Sequence, residues 1–573
     1  MSMTTSEVLI TAEESCTLSS FESSTPSNSL LNSRLTTKEQ LKICCKPTYQ
    51  TKRVKRKGAI LILIWSFLLT SAFFFNESIF TGHDFEVLYN LQLVAGGLTL
   101  LIAGWIADVY FGRYKVICWS MWIMWAASMM ATASSVVAQL VDSYNQVFSY
   151  ASNVFTIIGT VGLGGFQANV IQFGIDQLHD ASTVEVTSFI RWYVWCGYSS
   201  GFMIDYVLGC TPGKYKVLLE MLVISISISM ALCSIFLFNH WLVKEPVTQN
   251  PFKLVYKVIK YAINNKHPRH RSAFTYCEDN LPSRIDYGKN KYGGPFTTEQ
   301  VEDVKTFLRL VVIISVAGNL FGEVIATDIL RVNMWNKFIR THTMDRSPYM
   351  CYSDVTFKQG FIYCGAIAVP LYEFFIYPLF HRCLGKLNDK SQWKVVLGVL
   401  LLIATIITLM LFEIIARKSY LENYINNNTS SIHCVFYKTY NSTLSTSFDY
   451  RWMAIPYFTR SMSVLFLGIG YLEFIAAQAP YLMRGLIVGT AYGFFLLSGA
   501  LGIAVNIPFT KRSSVWGTGI ISCGFWYALL LLIIAITLGI AYSVILRWYK
   551  NRKREDVLPN EHIFAERYYT RVN

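Results

Sequence analysis

The chain has 573 residues, of which 53% are apolar, 15% aromatic and only 15% charged, and its mean hydropathy is +0.37. A water-soluble protein of this length carries more charge, so the balance excludes a string of soluble domains and points to a polytopic protein solvated by lipid. The net charge of +14 does not indicate nucleic acid: its dense runs, "KRVKRK" (52–57) and "RWYKNRKR" (547–554), flank the first and last apolar segments, where basic residues meet anionic lipid and mark the cytoplasmic side.

Residues 1–57 form a polar, Ser/Thr-rich tail without the early apolar core of a secretory signal. Apolar runs of membrane-spanning length then follow at roughly 58–80, 85–107, 114–136, 147–173, 184–208 and 217–240. A polar linker occupies 241–304, and six more runs lie at roughly 305–330, 356–381, 392–416, 449–478, 482–506 and 517–546. The expected architecture is all-α, with about twelve transmembrane helices in two halves, 58–240 and 305–546, and a final tail, 547–573. An even number of spans puts both termini and the linker in the cytoplasm.

In the first half, "GWIADVYFGRYK" (104–115) joins spans two and three. Gly104 and Gly112 admit a close approach of helix ends, and Asp108 can accept from Arg113 or from backbone N–H groups at a neighbouring helix start. In the linker, "NPFKLVYKVIKYAI" (250–263) sets Phe252, Val255, Ile259 and Ala262 on one helical face, with Lys253, Lys257 and Lys260 elsewhere. It predicts a basic amphipathic helix at the cytoplasmic surface. "TTEQVEDVK" (297–305) predicts a capped helix start running into span seven. The loop between spans nine and ten carries acceptor sequons at Asn427, Asn428 and Asn441, on the outer side in this topology. Cys351 and Cys434 also fall in outer loops and are candidates for a bridge.

The order Gly, Asp, Gly, Arg at 104–113, with twelve spans, resembles the major facilitator superfamily. "GLGGFQANVIQFGIDQL" (162–178), "FIRWYVWCGYSSG" (189–201), "PLYEFFIYPLF" (370–380) and "LEFIAAQAPYLMRG" (472–485) together resemble the proton-dependent oligopeptide transporter (POT/PTR) family, nearest its animal peptide/histidine branch. The resemblance spans about 58–546. It implies two six-helix halves that rock around a midplane site, and symport of protons with short peptides, histidine or related solutes.

At the family's functional positions the chain departs from the pattern. Ser66, Leu69 and Thr70 stand where the first helix carries Glu-x-x-Glu-Arg, and no Glu or Arg occurs in residues 58–76. Gln167 stands at the fourth-helix lysine, Gly197 at the fifth-helix asparagine and Val464 at the tenth-helix glutamate. The charges left within the spans are therefore the gating or coupling candidates: Arg191, Glu323, Glu373, Arg460 and Glu473. An Arg191–Glu473 pair would close a cytoplasmic gate in place of the missing lysine–glutamate bridge. Ser66, Thr70, Gln167, Asn169, Tyr193, Asn319, Tyr372 and Gln478 are the candidates for a polar, weakly charged substrate cavity.

The expected function is a multi-pass transporter of small polar solutes by alternating access, without the usual proton-coupling charges. The alternative is a non-transporting sensor or scaffold on the same fold. No P-loop, metal-ligand cluster or nucleophile constellation occurs, so neither an enzyme nor a metal or other cofactor is expected. The expected partners are a small-molecule substrate, the lipid bilayer and, in the family's usual scheme, protons. The chain is expected to act as a monomer, in either the plasma membrane or an endolysosomal membrane.

Overall fold

Inside a bilayer every backbone N–H and C=O must find a partner within the protein, so a long apolar run folds as a helix. The computed structural model describes residues 56–74, 85–140, 145–178, 181, 183–208, 213–244, 250–265, 282–339, 364–376, 391–425, 450–480, 483–510 and 523–549. The first half contains α1 (Arg56–Phe74), α2 (Phe85–Ile106), α3 (Arg113–Leu140), α4 (Asn145–Asp176), α5 (Thr183–Leu208) and α6 (Gly213–Phe238). The linker contributes α7 (Pro251–Asn264). The second half contains α8 (Thr298–Ile339), α9 (Gly365–Leu371), α10 (Ser391–Ile425), α11 (Ala454–Gln478), α12 (Arg484–Thr510) and α13 (Cys523–Trp548).

Among the described residues, nine helices are long and apolar enough to cross a membrane, with shorter apolar stretches at Lys57–Thr70 in α1 and Gly365–Phe375 from α9 onward. Of the two remaining helices, α7 belongs to the linker and α5 carries Glu185 and Arg191 among Tyr, Trp and Ser residues. β structure among the described residues amounts to one isolated bridge, Lys289 with Phe296. Asn427, Asn428, Asn441, Cys351, Cys434 and residues 1–55 and 550–573 of the tails lie outside the described residues.

Apolar burial does not drive helices together in lipid; close packing and interhelical hydrogen bonds do. Within the first half, indoles and hydroxyls supply the bonds. Trp65 Nε1 donates to Ser234 Oγ at 2.7 Å and Trp125 Nε1 to Ser229 Oγ at 3.1 Å. Thr132 and Ser225 hydroxyls meet at 3.0 Å, and Ser135 and Ser152 at 3.1 Å. The second half encloses an apolar core of Leu310, Ile313, Ile314, Leu320, Leu402 and Ile406, bordered by buried tyrosines.

The halves meet along a seam in which α2 and α4 face α12, and α5 faces α9 and α11. Small residues set its depth. A Cβ on Gly104 would lie 2.6 Å from the Gly485 carbonyl oxygen, and one on Gly489 would lie 2.5 Å from that of Leu100. Any larger side chain there forces α2 and α12 apart.

The α2–α3 turn, the α4–α5 turn and α7 share one end of the bundle, called the linker end below. Here Gln177 holds the segment after α6, accepting from Val243 N at 2.8 Å and donating to Val243 O at 2.9 Å. Asn250 caps α7 by accepting from the N–H groups of Phe252 and Lys253. Thr297 and Gln300 cap α8 reciprocally, each side chain accepting from the other's backbone N–H at 3.2 Å. The buried face of α7 is Pro251, Val255, Val258 and Ala262. Phe252, expected on that face, is instead exposed, because the helix is rotated to seat Val258 in the core of the second half.

Candidate functional site

Two clusters of charge cross the seam at the linker end. The first grows from the α2–α3 turn. Beyond Ile106 the helix widens into a π turn, Ala107–Phe111, which Gly112 ends with φ 84°, a left-handed conformation that a side chain would strain. The turn aims Asp108 across the seam, where its Oδ2 accepts from the backbone N–H of Leu486, in the first turn of α12, at 2.7 Å. Oδ1 of the same carboxylate accepts from Arg113 Nε and Nη2, both at 3.2 Å. Arg113 Nη1 continues to Asp176 Oδ2 at 2.5 Å, and Gln172 donates to Asp176 Oδ1 at 3.0 Å. One aspartate thus joins two ends of the first half to a helix start of the second.

The second cluster is centred on Arg191, eight residues into α5 and about 12 Å along its axis. Its Nη1 lies 3.1 Å from Glu473 Oε1 in α11, and its Nε lies 2.6 Å from Glu373 Oε1. Lys394 at the start of α10 completes the group, with Nζ 2.6 Å from Glu473 Oε2. The Tyr372 ring stands beside both cations, 5.5 Å from the guanidinium carbon and 6.0 Å from Nζ. Two cations and two anions balance one another where Arg191, Glu473 and Lys394 are all buried. Charge at this depth persists only when paired this closely.

Helix α9 positions Glu373 by an irregularity. Pro370 offers no N–H, and the chain beyond it winds as a π turn, Tyr372–Ile376. π turns recur at functional sites because they re-aim side chains. Packing along α5 fixes the rest: Trp195 Nε1 donates to the Ala366 carbonyl at 2.9 Å, Trp192 meets Phe374 edge to face, and Tyr198 donates to the Ser461 carbonyl at 3.3 Å.

The remaining candidates are more dispersed. Ser66 and Thr70 donate back to the carbonyls of Ile62 and Ser66 in their own helix. Thr70 faces Gly197, so two positions at which the resemblance leads one to expect polar groups look at each other across α1 and α5. Asn169 and Asn319 likewise donate within their own helices, to Gly165 and Ser315. The Asn169 Oδ1 is buried without a partner. Gln167 is half-buried on α4, and Tyr193 faces Tyr492 of α12. Gln478 does not join this group: it accepts from Tyr549 at 3.0 Å, beyond the end of α13. Arg460 pairs with Asp328 of α8, within the second half. Glu323 is 6% exposed, and its Oε2 has no hydrogen-bond partner. Val464 packs on the apolar core of the second half.

Sequence reasoning singled out neither Lys394 nor Asp328. Each sits near a span boundary, where a lone charge reads as one that reaches out to the headgroups.

Comparison with known proteins follows the same line. The family model described as "POT family" matches residues 114–516. The human "Solute carrier family 15 member 5" is 23% identical over 227 residues, 37% of this chain and 38% of that protein. The mouse "Solute carrier family 15 member 3" is 24% identical over 500 residues, 78% of this chain and 82% of that protein. Among solved structures, the POT family transporter PepTSo superposes with a TM-score of 0.57 at 14% identity, covering 86% of this chain and 98% of that one. An auto-inhibited POT family peptide transporter gives 0.57 at 13% identity, covering 88% and 99%. Family and fold are those of membrane transporters, not of enzymes. With the family model covering well over half of its length, the chain belongs to the POT family.

Proposed function

We propose that this protein carries small polar solutes, such as short peptides, amino acids like histidine or related compounds, by alternating access between its two six-helix halves, without the titrating groups of the usual first-helix motif. The observation that carries this reading is the Arg191–Glu373–Glu473–Lys394 network, which ties α5 of one half to α9, α10 and α11 of the other. In this reading the linker end is cytoplasmic, as the basic runs beside the first and last spans favour, and the network is the closed cytoplasmic gate of a monomeric carrier. The halves are 58–240 and 305–546. In this reading the cavity lies where α1, α4 and α5 face the second half, with Ser66, Thr70, Gln167 and Tyr193 as candidates for its lining. The names of the relatives, solute carriers and POT family peptide transporters, agree with this substrate class.

The test is uptake into proteoliposomes at imposed pH gradients, over a panel of amino acids and dipeptides. Saturable uptake that is indifferent to the gradient is the expected result. Gradient-driven uptake would return proton coupling, and its loss in Glu323→Gln would assign it to α8. Binding without uptake of any compound would instead favour a sensor on this fold, the reading to which the lack of Glu and Arg in residues 58–76 lends support.

A further inference from the structure

Helix α7 presents three faces. Pro251, Val255, Val258 and Ala262 are buried against the second half. Phe252, Tyr256 and Ile263 are 41%, 63% and 68% exposed, and their spacing of four and seven residues makes them one stripe. Lys253, Lys257 and Lys260 form the adjacent stripe. Nearby basic groups are already engaged: Lys289 and Lys305 are bound by Asp286 and Glu302. The three α7 lysines have no acidic partner among the described residues.

The apolar stripe continues onto the outer surface of the bundle. Phe252 meets the Trp105 ring of α2 edge to face at 6.2 Å, and Trp105 meets Tyr110 at 5.7 Å. Trp105 and Tyr110 are themselves exposed. Exposed Trp and Tyr at the end of a membrane helix mark the headgroup level. Continuity with them puts the α7 stripe at the same depth, with the lysine row beside it.

We propose that the outer face of α7 is a docking surface for an anionic lipid leaflet. Phe252, Tyr256 and Ile263 enter the acyl boundary, and Lys253, Lys257 and Lys260 bind acidic headgroups. An exposed apolar stripe flanked by cations without acidic partners, of which Lys260 stands 5.7 Å from the Tyr256 ring centroid, has the chemistry of an in-plane interfacial helix. Because α7 is seated in the second half and touches α2 of the first, such a lipid contact bears on the seam itself.

A photoreactive amino acid at Tyr256 of the full-length protein, in nanodiscs of phosphatidylcholine with or without phosphatidylserine, provides a local readout that the basic tails do not contaminate. Crosslinking to lipid is expected to rise in the serine-lipid discs. Each lysine changed to Gln is expected to reduce that preference about fivefold, and the triple variant is expected to abolish it. Lipid crosslinking that ignores phosphatidylserine, or a triple variant that keeps the preference, would overturn the proposal. So would a probe that labels only protein or water. The substitutions are at exposed positions, and an unchanged melting temperature checks that the variants are folded.

Discussion

The two halves share an architecture but not a chemistry. In the first, apart from the Asp108–Arg113–Asp176 cluster at the linker end, the described bonds between helices are largely neutral: Trp65 to Ser234, Trp125 to Ser229, Thr132 to Ser225, and Gln92 to Thr160 at 3.0 Å. In the second, ionisable side chains lie among apolar ones: Lys394 on Glu473, both buried, Arg460 on Asp328, both partly buried, and the buried Glu323 in the middle of α8. Neutral hydrogen bonds hold a bundle in one arrangement with little dependence on pH or potential. Buried ion pairs cost desolvation and are retained where they can be exchanged or broken. The contrast puts most of the exchangeable contacts among the described residues in the second half and at the seam.

Glu473→Gln should break this contrast most severely. It takes the carboxylate from Lys394 and leaves Arg191 with Glu373 alone in a buried site, a loss of about 3–5 kcal/mol. The expected outcome is a lower melting temperature in detergent together with increased labelling of cysteines introduced at the linker end. Arg191→Gln should open the same end, and unchanged labelling there would refute the gate. Gly104→Val comes next. The added side chain meets the Gly485 carbonyl and should cost about 1–3 kcal/mol by separating α2 from α12, visible as reduced crosslinking between cysteines placed on those helices.

A third test lies outside the membrane. Burial pushes the Asp286 carboxyl up, but hydrogen bonds from Lys289, Lys305 and Ser283 outweigh it and hold the group well below the usual carboxylate range. Its contribution is therefore complete above the ordinary value of about 3.9 and is lost as pH falls toward the folded value. Hydrogen-exchange protection factors in residues 282–297, corrected for the intrinsic pH dependence of amide exchange, should be flat from neutrality to about pH 5 and fall at lower pH. Asp286→Asn should exchange fast throughout. The smallest effect belongs to the first half. Ser229→Ala should cost only about 0.6 kcal/mol, since hydrogen bonds between helices in lipid are individually weak. A loss as large as that of Glu473→Gln would erase the distinction between the halves.

What was legible in the sequence was local. Apolar runs gave the helices because hydropathy and length decide them within a single segment. The Asp108 turn was readable because its glycines and arginine lie within ten residues. The Arg191–Glu473 partnership could be stated from depth along two helices. Rotation about those helices was not readable: one residue turns a side chain by about 100°. That is why Gln478, placed in the cavity by its position on α11, faces Tyr549 instead. It is also why Phe252 exchanged its expected place with Val258. Lys394 was missed because a cation in the first turn of a span looks the same whether it reaches water or a buried glutamate.

Glu373 stands on a turn that holds one residue more than regular winding would. Were that turn to rewind as ordinary α-helix, the side chains along Tyr372–Ile376 would swing progressively about the axis, approaching 100° at its end. Glu373 would then leave Arg191 with no tilt of either half. Such a twist of one short helix would be enough to break the bond across the seam, an event separate from any tilt of the halves.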